Sequence, residues 1–279
     1  MRFTKMHGAG NDYVFVDLFE ETIRDAPSLA RAVSDRHRGV GSDGLILLSP
    51  SRAADVAMVM YNADGSRAEM CGNGIRCLAK LAWERGRVRA NPVRVETDAG
   101  VRLVELRLEG GRVAGAAVDM GAPELDPARI PVRLPGTRIV DWPIDAAGRR
   151  FGMTCVSMGN PHAVIFVDDL DDLDVARYGR AIETDPLFPN RTNVEFVQVR
   201  GPGAVKQRTW ERGAGETQAC GTGACAVCVA GVLTNRTGAE IRSSLAGGEL
   251  TLSWDGSGQV RMRGPAIEVF SGTWPDDGV

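Results

Sequence analysis

Two cysteines stand in the same local pattern. Cys71 opens Cys-Gly-Asn-Gly at 71–74, and Cys220 opens Cys-Gly-Thr-Gly at 220–223. Each tetrapeptide leads into a run of helical character. After Cys71, the residues Ile75, Leu78, Ala79 and Ala82 recur at i, i+3, i+4 and i+7, and Gly86 is placed to end the helix. After Cys220, the run Ala224 to Leu233 is apolar nearly all round, which suits a helix enclosed by other elements. A helix N-terminus presents unpaired N–H groups and a partial positive charge. A thiol placed there is expected to ionise below the ordinary value of about 8.5. The N–H groups of Gly72-Asn73 and Gly221-Thr222 are candidates to hold a carboxylate. Two such thiols on opposite sides of one carbon, one of them a thiolate, can remove a proton from one face and return one to the other. That inverts a stereocentre by general acid–base catalysis. The amide donors would stabilise the carbanion in a water-poor pocket.

The spacing of other residues supports a common origin for the two motifs. Asn11 precedes Cys71 by 60 residues, and Asn160 precedes Cys220 by 60. An offset of 149 carries Asn11 to Asn160, Gly44 to Asn193, Tyr61 to Trp210, Asn62 to Glu211 and Cys71 to Cys220. Identity between the halves is otherwise low, so what repeats is a set of key positions. Strand signals fill the rest: "VRLVELRL" from Val101 to Leu108 largely alternates apolar and charged residues, and "DVAMVMY", "NVEFVQV", "AVKQRTW" and "VRMRG" are similar. The expectation is an α+β fold of two pseudo-symmetric halves. Each is a curved, largely antiparallel, barrel-like sheet wrapped around one central helix, with the Gly/Pro-rich stretch Gly121 to Gly148 as the connection.

Bulk properties exclude several classes. A chain of 279 residues with 43% hydrophobic and 25% charged residues can bury a sizeable core. A net charge of −3 offers no basic field for a nucleic acid, and Arg36-His37-Arg38 reads as solvated loop charge. The N-terminus lacks the apolar core of a signal peptide, and Ala224 to Leu233 is shorter than the ~20 residues of a membrane span. The expectation is a cytoplasmic protein with reduced thiols. Cys77, Cys155, Cys225 and Cys228 read as small core residues. Cys225 and Cys228 have CxxC spacing but no second pair to complete a zinc site, so no metal is expected. His162 and the pair Glu211-Arg212 could be ordinary core and surface residues. Their placement favours function, because Glu211 precedes Cys220 by nine residues as Asn62 precedes Cys71. An imidazole or carboxylate near one thiol would make the two thiols unequal.

The segments "MHGAGNDYVFVD", "NADGSRAEMCGNGIRC", "SMGNPHAV" and "ERGAGETQACGTGACA" resemble the signatures of the diaminopimelate epimerase family, from Lys5 to the closing "GPAIEVFSG". The resemblance implies that family's fold, with halves at 1–120 (completed by a C-terminal strand at 266–279) and 121–265 and the active site in the cleft between them. It implies a cofactor-independent enzyme, often a homodimer, that interconverts LL- and meso-2,6-diaminopimelate in lysine and peptidoglycan precursor synthesis. By position it makes Cys71 and Cys220 the acid/base pair, with Cys220 the base from LL to meso. Asn11, Asn62, Gly72, Asn73, Asn160, Asn193, Glu211, Arg212, Gly221 and Thr222 become substrate contacts, and His162 and Glu211 modulate the thiols. Gly44 stands where some members carry a glutamine and is left out of the set. The neighbouring reading is another cofactor-independent amino-acid racemase or isomerase of the same fold.

Overall fold

Strands β1 (Arg2–Gly8) and β2 (Asn11–Asp17) are joined by Ala9-Gly10, both at positive φ, 56° and 86°. A two-residue turn of that handedness matches the twist of antiparallel strands, and it sets Asn11 at the start of β2, opposite Gly8. The computed structural model describes residues 1–275. After β2 come α1 (Ala26–Ser34), β3 (Gly44–Ser49), β4 (Val56–Asn62), β5 (Arg67–Ala68) and α2 (Gly72–Glu84). Strands β6 (Val93–Thr97), β7 (Gly100–Glu109) and β8 (Arg112–Asp119) follow. The order then recurs: β9 (Trp142–Ala146), β10 (Arg149–Ser157), β11 (Pro161–Phe166), α3 (Val175–Glu183), β12 (Asn193–Gly201), β13 (Ala204–Glu211), β14 (Gly215–Thr217) and α4 (Gly221–Leu233). Strands β15 (Glu240–Leu245), β16 (Gly248–Ser253), β17 (Arg261–Gly264) and β18 (Ile267–Thr273) complete the chain. Two compact units result, Met1–Asp119 with the chain from Arg263 onward, and Met120–Met262.

In the first unit, β1 pairs antiparallel with β2 and β18, while β2 runs parallel to β3. Helix α2 packs against β1 to β4 and β6 to β8, the position of a helix enclosed by its sheet. Helix α1 covers the opposite face of β2, β3 and β4. The continuous apolar runs of β2 and β3 follow from this, since strands covered on both faces have no solvent side to make polar. Val14, Val16, Leu45 and Leu47 share a cluster with Leu29, Ala30 and Val33 of α1. By strand alternation, Phe15 and Ile46 point to the other face.

The second unit repeats this at the level of register. Tyr13 faces Gly44 across the parallel pair β2–β3, and His162 faces Asn193 across β11–β12. Both pairs are related by 149. Helices α1 and α3 keep the same offset, as do α2 and α4, although the sequence reading had anticipated only the enclosed helix of each half. Helix α4 packs on β10, β11, β12, β15 and β16, and its residues from Gly223 to Gly231 are buried. It begins at Gly221, three residues earlier than its apolar run suggests, because glycine and threonine follow the capping cysteine.

One sequence expectation needs correction. The segment Gly121 to Gly148 is more than a connection. It contains β9, and Ile130, Val132, Ile139, Ile144 and Ala146 join the core cluster of the second unit. Its glycines and prolines mark turns between buried side chains. Of the C-terminal strand expected at 266–279, residues 267–273 form β18, and 276–279 lie outside the described residues.

Candidate active site

Each motif cysteine is the N-cap of its helix. Cys71 has φ −129° and ψ 122°, and its sulfur accepts from the Gly74 N–H at 3.5 Å. Cys220 has φ −121° and ψ 111°, and its sulfur accepts from the Gly223 N–H at 3.3 Å. A side chain in extended conformation that reaches the third helical amide is the usual N-cap geometry, here with sulfur in place of oxygen. The final glycine of each motif has a packing cause. A Cβ on Gly74 would lie 2.5 Å from Ile46 Cδ1, and one on Gly223 would lie 2.3 Å from Glu195 Oε1. At each position a side chain from the strand beneath must shift before a Cβ can fit.

The surroundings of the two sulfurs differ. Cys71 is partly buried. Its thiol donates to Asn11 Oδ1 at 3.2 Å, and Tyr13 Oη lies 3.5 Å from the sulfur. Asn11 donates from Nδ2 to Asp43 at 2.7 Å. A carboxylate only accepts, so this bond turns the Asn11 oxygen toward Cys71. Asp43 is held in turn by Arg36, which also reaches Asp12, at 2.8 and 2.9 Å. Arg36 is therefore part of a charged cluster and not merely solvated loop charge. Lys5 completes this cluster through an ion pair with Asp12. Asn73 is buried, with Oδ1 accepting from the fully buried Arg76 at 2.9 Å and Nδ2 directed at Asn11.

Cys220 is buried, and its sulfur lies 3.4 Å from the Thr222 hydroxyl. His162 and Glu195 are both fully buried beside it. One donor atom from each of the three residues falls within 4.8 Å of the others. His162 donates from Nδ1 to Glu195 Oε1 at 2.8 Å, and its Nε2 meets Asn160 Oδ1 at 3.0 Å. Gln207 and Thr209 donate to the other oxygen of Glu195. Glu211 accepts from Thr217, and its charge acts on Cys220.

The expected lowering of both thiols by the helix N-terminus is overturned. Burial pushes Cys71 up, and the N–H of Gly74 and the hydroxyl of Tyr13 only partly offset it. Burial pushes Cys220 well above the ordinary thiol range, and the charges of Glu211 and Glu195 push it further. The partial charge of a helix end is worth roughly 0.3–1 kcal/mol at exposed sites. Removing a thiolate from water outweighs it here. Cys77, Cys155 and Cys228 are buried and pushed up to about 12, as core thiols are.

Gly72 and Gly221 open the helices, next to the capping sulfurs. Asn62 ends β4, exposed, with Nδ2 donating to Ser66 Oγ at 3.0 Å. Asn193 is buried and has both ends of its amide engaged. It donates to the Pro161 carbonyl at 2.8 Å and accepts from the Arg212 N–H at 2.9 Å. It thus ties β11 and β12 to the turn after β13. The Arg212 guanidinium is exposed and donates to the Asn190 carbonyl at 3.1 Å.

Sequence reasoning missed Glu195, Gln207, Thr209, Tyr13 and Asp43. A signal for the first three existed. They are polar at positions where the first half carries Ile46, Met58 and Met60, an offset of 149 each. His162, Glu195 and Cys220 are also metal-binding residue types, but Glu195 and His162 already spend their donor atoms on one another and on Asn160, Gln207 and Thr209. Among the described residues, no helix is long and apolar enough to cross a membrane.

The sequence model of the diaminopimelate epimerase family matches residues 3–125 and 154–269. A diaminopimelate epimerase of Pelotomaculum thermopropionicum is 54% identical over 277 residues, covering 99% of this chain and 99% of that protein. One of Desulfovibrio desulfuricans is 53% identical over 281 residues, covering 98% of each. Among solved structures, a probable proline racemase from Agrobacterium radiobacter superposes with a TM-score of 0.73 at 17% identity, over 99% of this chain and 93% of that one. A Bacillus anthracis phenazine biosynthesis protein gives 0.71 at 17% identity, over 98% of both chains. At that identity the likeness speaks for the α+β fold of two similar halves. Both cysteine motifs lie inside the matched segments, and the chain belongs to the diaminopimelate epimerase family.

Proposed function

We propose that this chain is an isomerase that interconverts LL- and meso-2,6-diaminopimelate without a cofactor, in the supply of lysine and peptidoglycan precursors. One observation carries the mechanism: two thiols cap two helices in matching registers, each beside main-chain N–H groups. From LL to meso, Cys220 takes the α-proton and Cys71 delivers one to the opposite face of the same carbon. The reverse reaction exchanges the roles. The N–H groups of Gly72-Asn73 and Gly221-Thr222 hold the reacting carboxylate and the charge that develops on it.

The hydrogen bonds support this assignment. Cys71 donates to the Asn11 oxygen at 3.2 Å, nearer than the Gly74 N–H and the Tyr13 hydroxyl at 3.5 Å, and this acceptor favours a proton on sulfur. Cys220 faces the Gly223 N–H and the Thr222 hydroxyl, both able to donate to a thiolate. The raised proton affinity of Cys220 makes its thiolate a stronger base toward a weakly acidic α-proton. Cys220 holds its proton at rest, and the positive charge of an incoming substrate ammonium favours release of that proton to solvent, which leaves the thiolate. Arg212 takes the distal carboxylate in a bidentate fork. Asn11, Asn62, Asn160 and Glu211 contact the polar ends of the substrate, while Asn193 acts through the main chain of Arg212.

We place the protein in the cytoplasm, where its six free cysteines stay reduced. We infer a homodimer from the family resemblance, supported by the exposed Val101, Leu103, Ile267, Val269 and Phe270 of the first unit. The test is assay on LL-diaminopimelate, with proline and glutamate as controls. Cys71→Ala and Cys220→Ala should each lower turnover by at least about 10²-fold, since removing a proton-transfer group forfeits roughly 10²–10⁴. In D₂O the product should gain deuterium at the inverted carbon ahead of unreacted substrate. Full activity in either variant sinks the two-thiol scheme, and turnover of a control amino acid in place of diaminopimelate moves the chain to a neighbouring racemase.

A further inference from the structure

The mechanism above leaves one fully buried carboxylate unused. Glu195 lies near the start of β12, and strand alternation turns it into the layer between the sheet and α4. Three donors converge on it: His162 Nδ1 at 2.8 Å on one oxygen, and Gln207 Nε2 at 2.9 Å with the Thr209 hydroxyl on the other. The Gln207 amide is itself oriented, because its oxygen accepts from Ser243 at 2.9 Å. Gly223 makes room for the carboxylate directly under the Cys220 cap. A buried carboxylate is costly unless such donors surround it, and the first half manages without one, with Ile46 at the equivalent position.

We infer that Glu195 is a positioning residue for the reaction. It fixes the His162 ring beside Cys220 and, through Nε2, the side-chain amide of Asn160, giving this half a carboxylate–imidazole–thiol arrangement that the Cys71 half lacks. The logic is that of an orienting carboxylate behind a histidine, with Glu195 touching neither substrate nor the reacting sulfur. The charged and titratable groups facing Cys220 are then His162 from β11, Glu195 from β12 and Glu211 from the end of β13. Glu195 is the one tied to both His162 and the strand beneath.

This inference rests on the proposed epimerase reading, and two measurements separate their failures. In the first, Glu195→Gln keeps the shape, removes the charge and replaces one of the two acceptor oxygens with an amide donor that His162 on one side or Gln207 and Thr209 on the other must face. Turnover of diaminopimelate should fall about 10–100-fold, the cost of a slightly misplaced proton-transfer group, with KM within about threefold. Glu195→Asp, which keeps the charge one methylene short, should recover part of the loss. In the second, iodoacetamide labelling of Cys220 is followed against pH in the Cys71→Ala background, with no substrate present. Glu195→Gln should move that profile to lower pH by at least about half a unit, because a fixed negative charge leaves the pocket. The Cys71 profile, read in the Cys220→Ala background, should stay in place. Should Glu195→Gln fail to fold, Thr209→Val leaves the carboxylate charged but removes a donor that offsets it, and a smaller shift of the Cys220 profile in the opposite direction, to higher pH, is expected. Wild-type turnover in Glu195→Gln, or equal movement of both profiles, overturns the inference. A wild-type chain inert toward diaminopimelate overturns the epimerase reading and leaves the labelling result to judge Glu195.

Discussion

Beneath Cys71 the layer between sheet and helix holds Tyr13, Ile46, Met58 and Met60. Beneath Cys220, 149 residues on in every case, it holds His162, Glu195, Gln207 and Thr209. The backbones agree in strand register, helix limits and N-cap geometry. The fillings disagree in chemistry. One thiol rests on thioethers and a branched alkyl chain and faces an asparagine oxygen. The other rests on a hydrogen-bonded polar network and meets the Thr222 hydroxyl. A scaffold of repeated geometry thus supplies two sulfurs of matched placement, and only a handful of substitutions makes their surroundings different. The proposed reaction needs an acid and a base of the same element, and for it symmetry would serve position and asymmetry protonation.

Carrying the charge across the repeat should have the largest effect. Ile46→Glu places a carboxylate where Met58 and Met60 offer no N–H or O–H donor. Urea unfolding should show a loss of about 3–5 kcal/mol, the usual cost of a buried charge left without partners. A loss under about 1 kcal/mol would mean that the two layers are interchangeable.

A gentler probe is the third helical residue. Gly223→Ala meets the Glu195 carboxylate, which three donors hold in place, and should cost about 1–3 kcal/mol, the range for overpacking. Gly74→Ala meets the methyl ends of Ile46 and Met58, which can swing away, while alanine gains up to about 1 kcal/mol over glycine within a helix. Its unfolding midpoint should stay near that of wild type. The reverse order would break the comparison.

The thiols themselves should titrate unequally. Both are raised, so each keeps its proton at neutral pH and gains reactivity only as pH climbs through its raised value. In the two single-alanine variants, iodoacetamide labelling should be slow at neutral pH and rise above the ordinary thiol value of about 8.5. Cys71 should respond first, and Cys220 at higher pH because two carboxylates oppose its ionisation. Smallest is Tyr13→Phe, which removes the hydroxyl 3.5 Å from Cys71 and leaves the ring in the core. Loss of a single hydrogen bond of about 1 kcal/mol predicts a several-fold fall in turnover, and a hundredfold fall would make Tyr13 a participant in proton transfer.

Much of the scaffold could be read in the residues. The alternation in Val101 to Leu108 and the enclosed character of Ala224 to Leu233 are local patterns, and local patterns follow from strand and helix periodicity. The segment from Gly121 to Gly148 was misread because turn residues there punctuate isolated buried side chains such as Ile130 and Ile139, which no periodic signal announces. Glu195 was passed over because a single acid in "NVEFVQV" looks like the solvent side of a half-buried strand. Only the helix on each face of β12 makes both sides interior.

The order of the chain by itself determined the repeat, the pairing of Cys71 with Cys220 and the place of each at a helix start, since these depend on residue type and spacing along one segment. The protonation balance was decided only in the folded state. A thiol's proton affinity is set by what excludes water from it and by charges on strands distant in sequence, and the burial and carboxylates around Cys220 reversed what its helix end alone suggested.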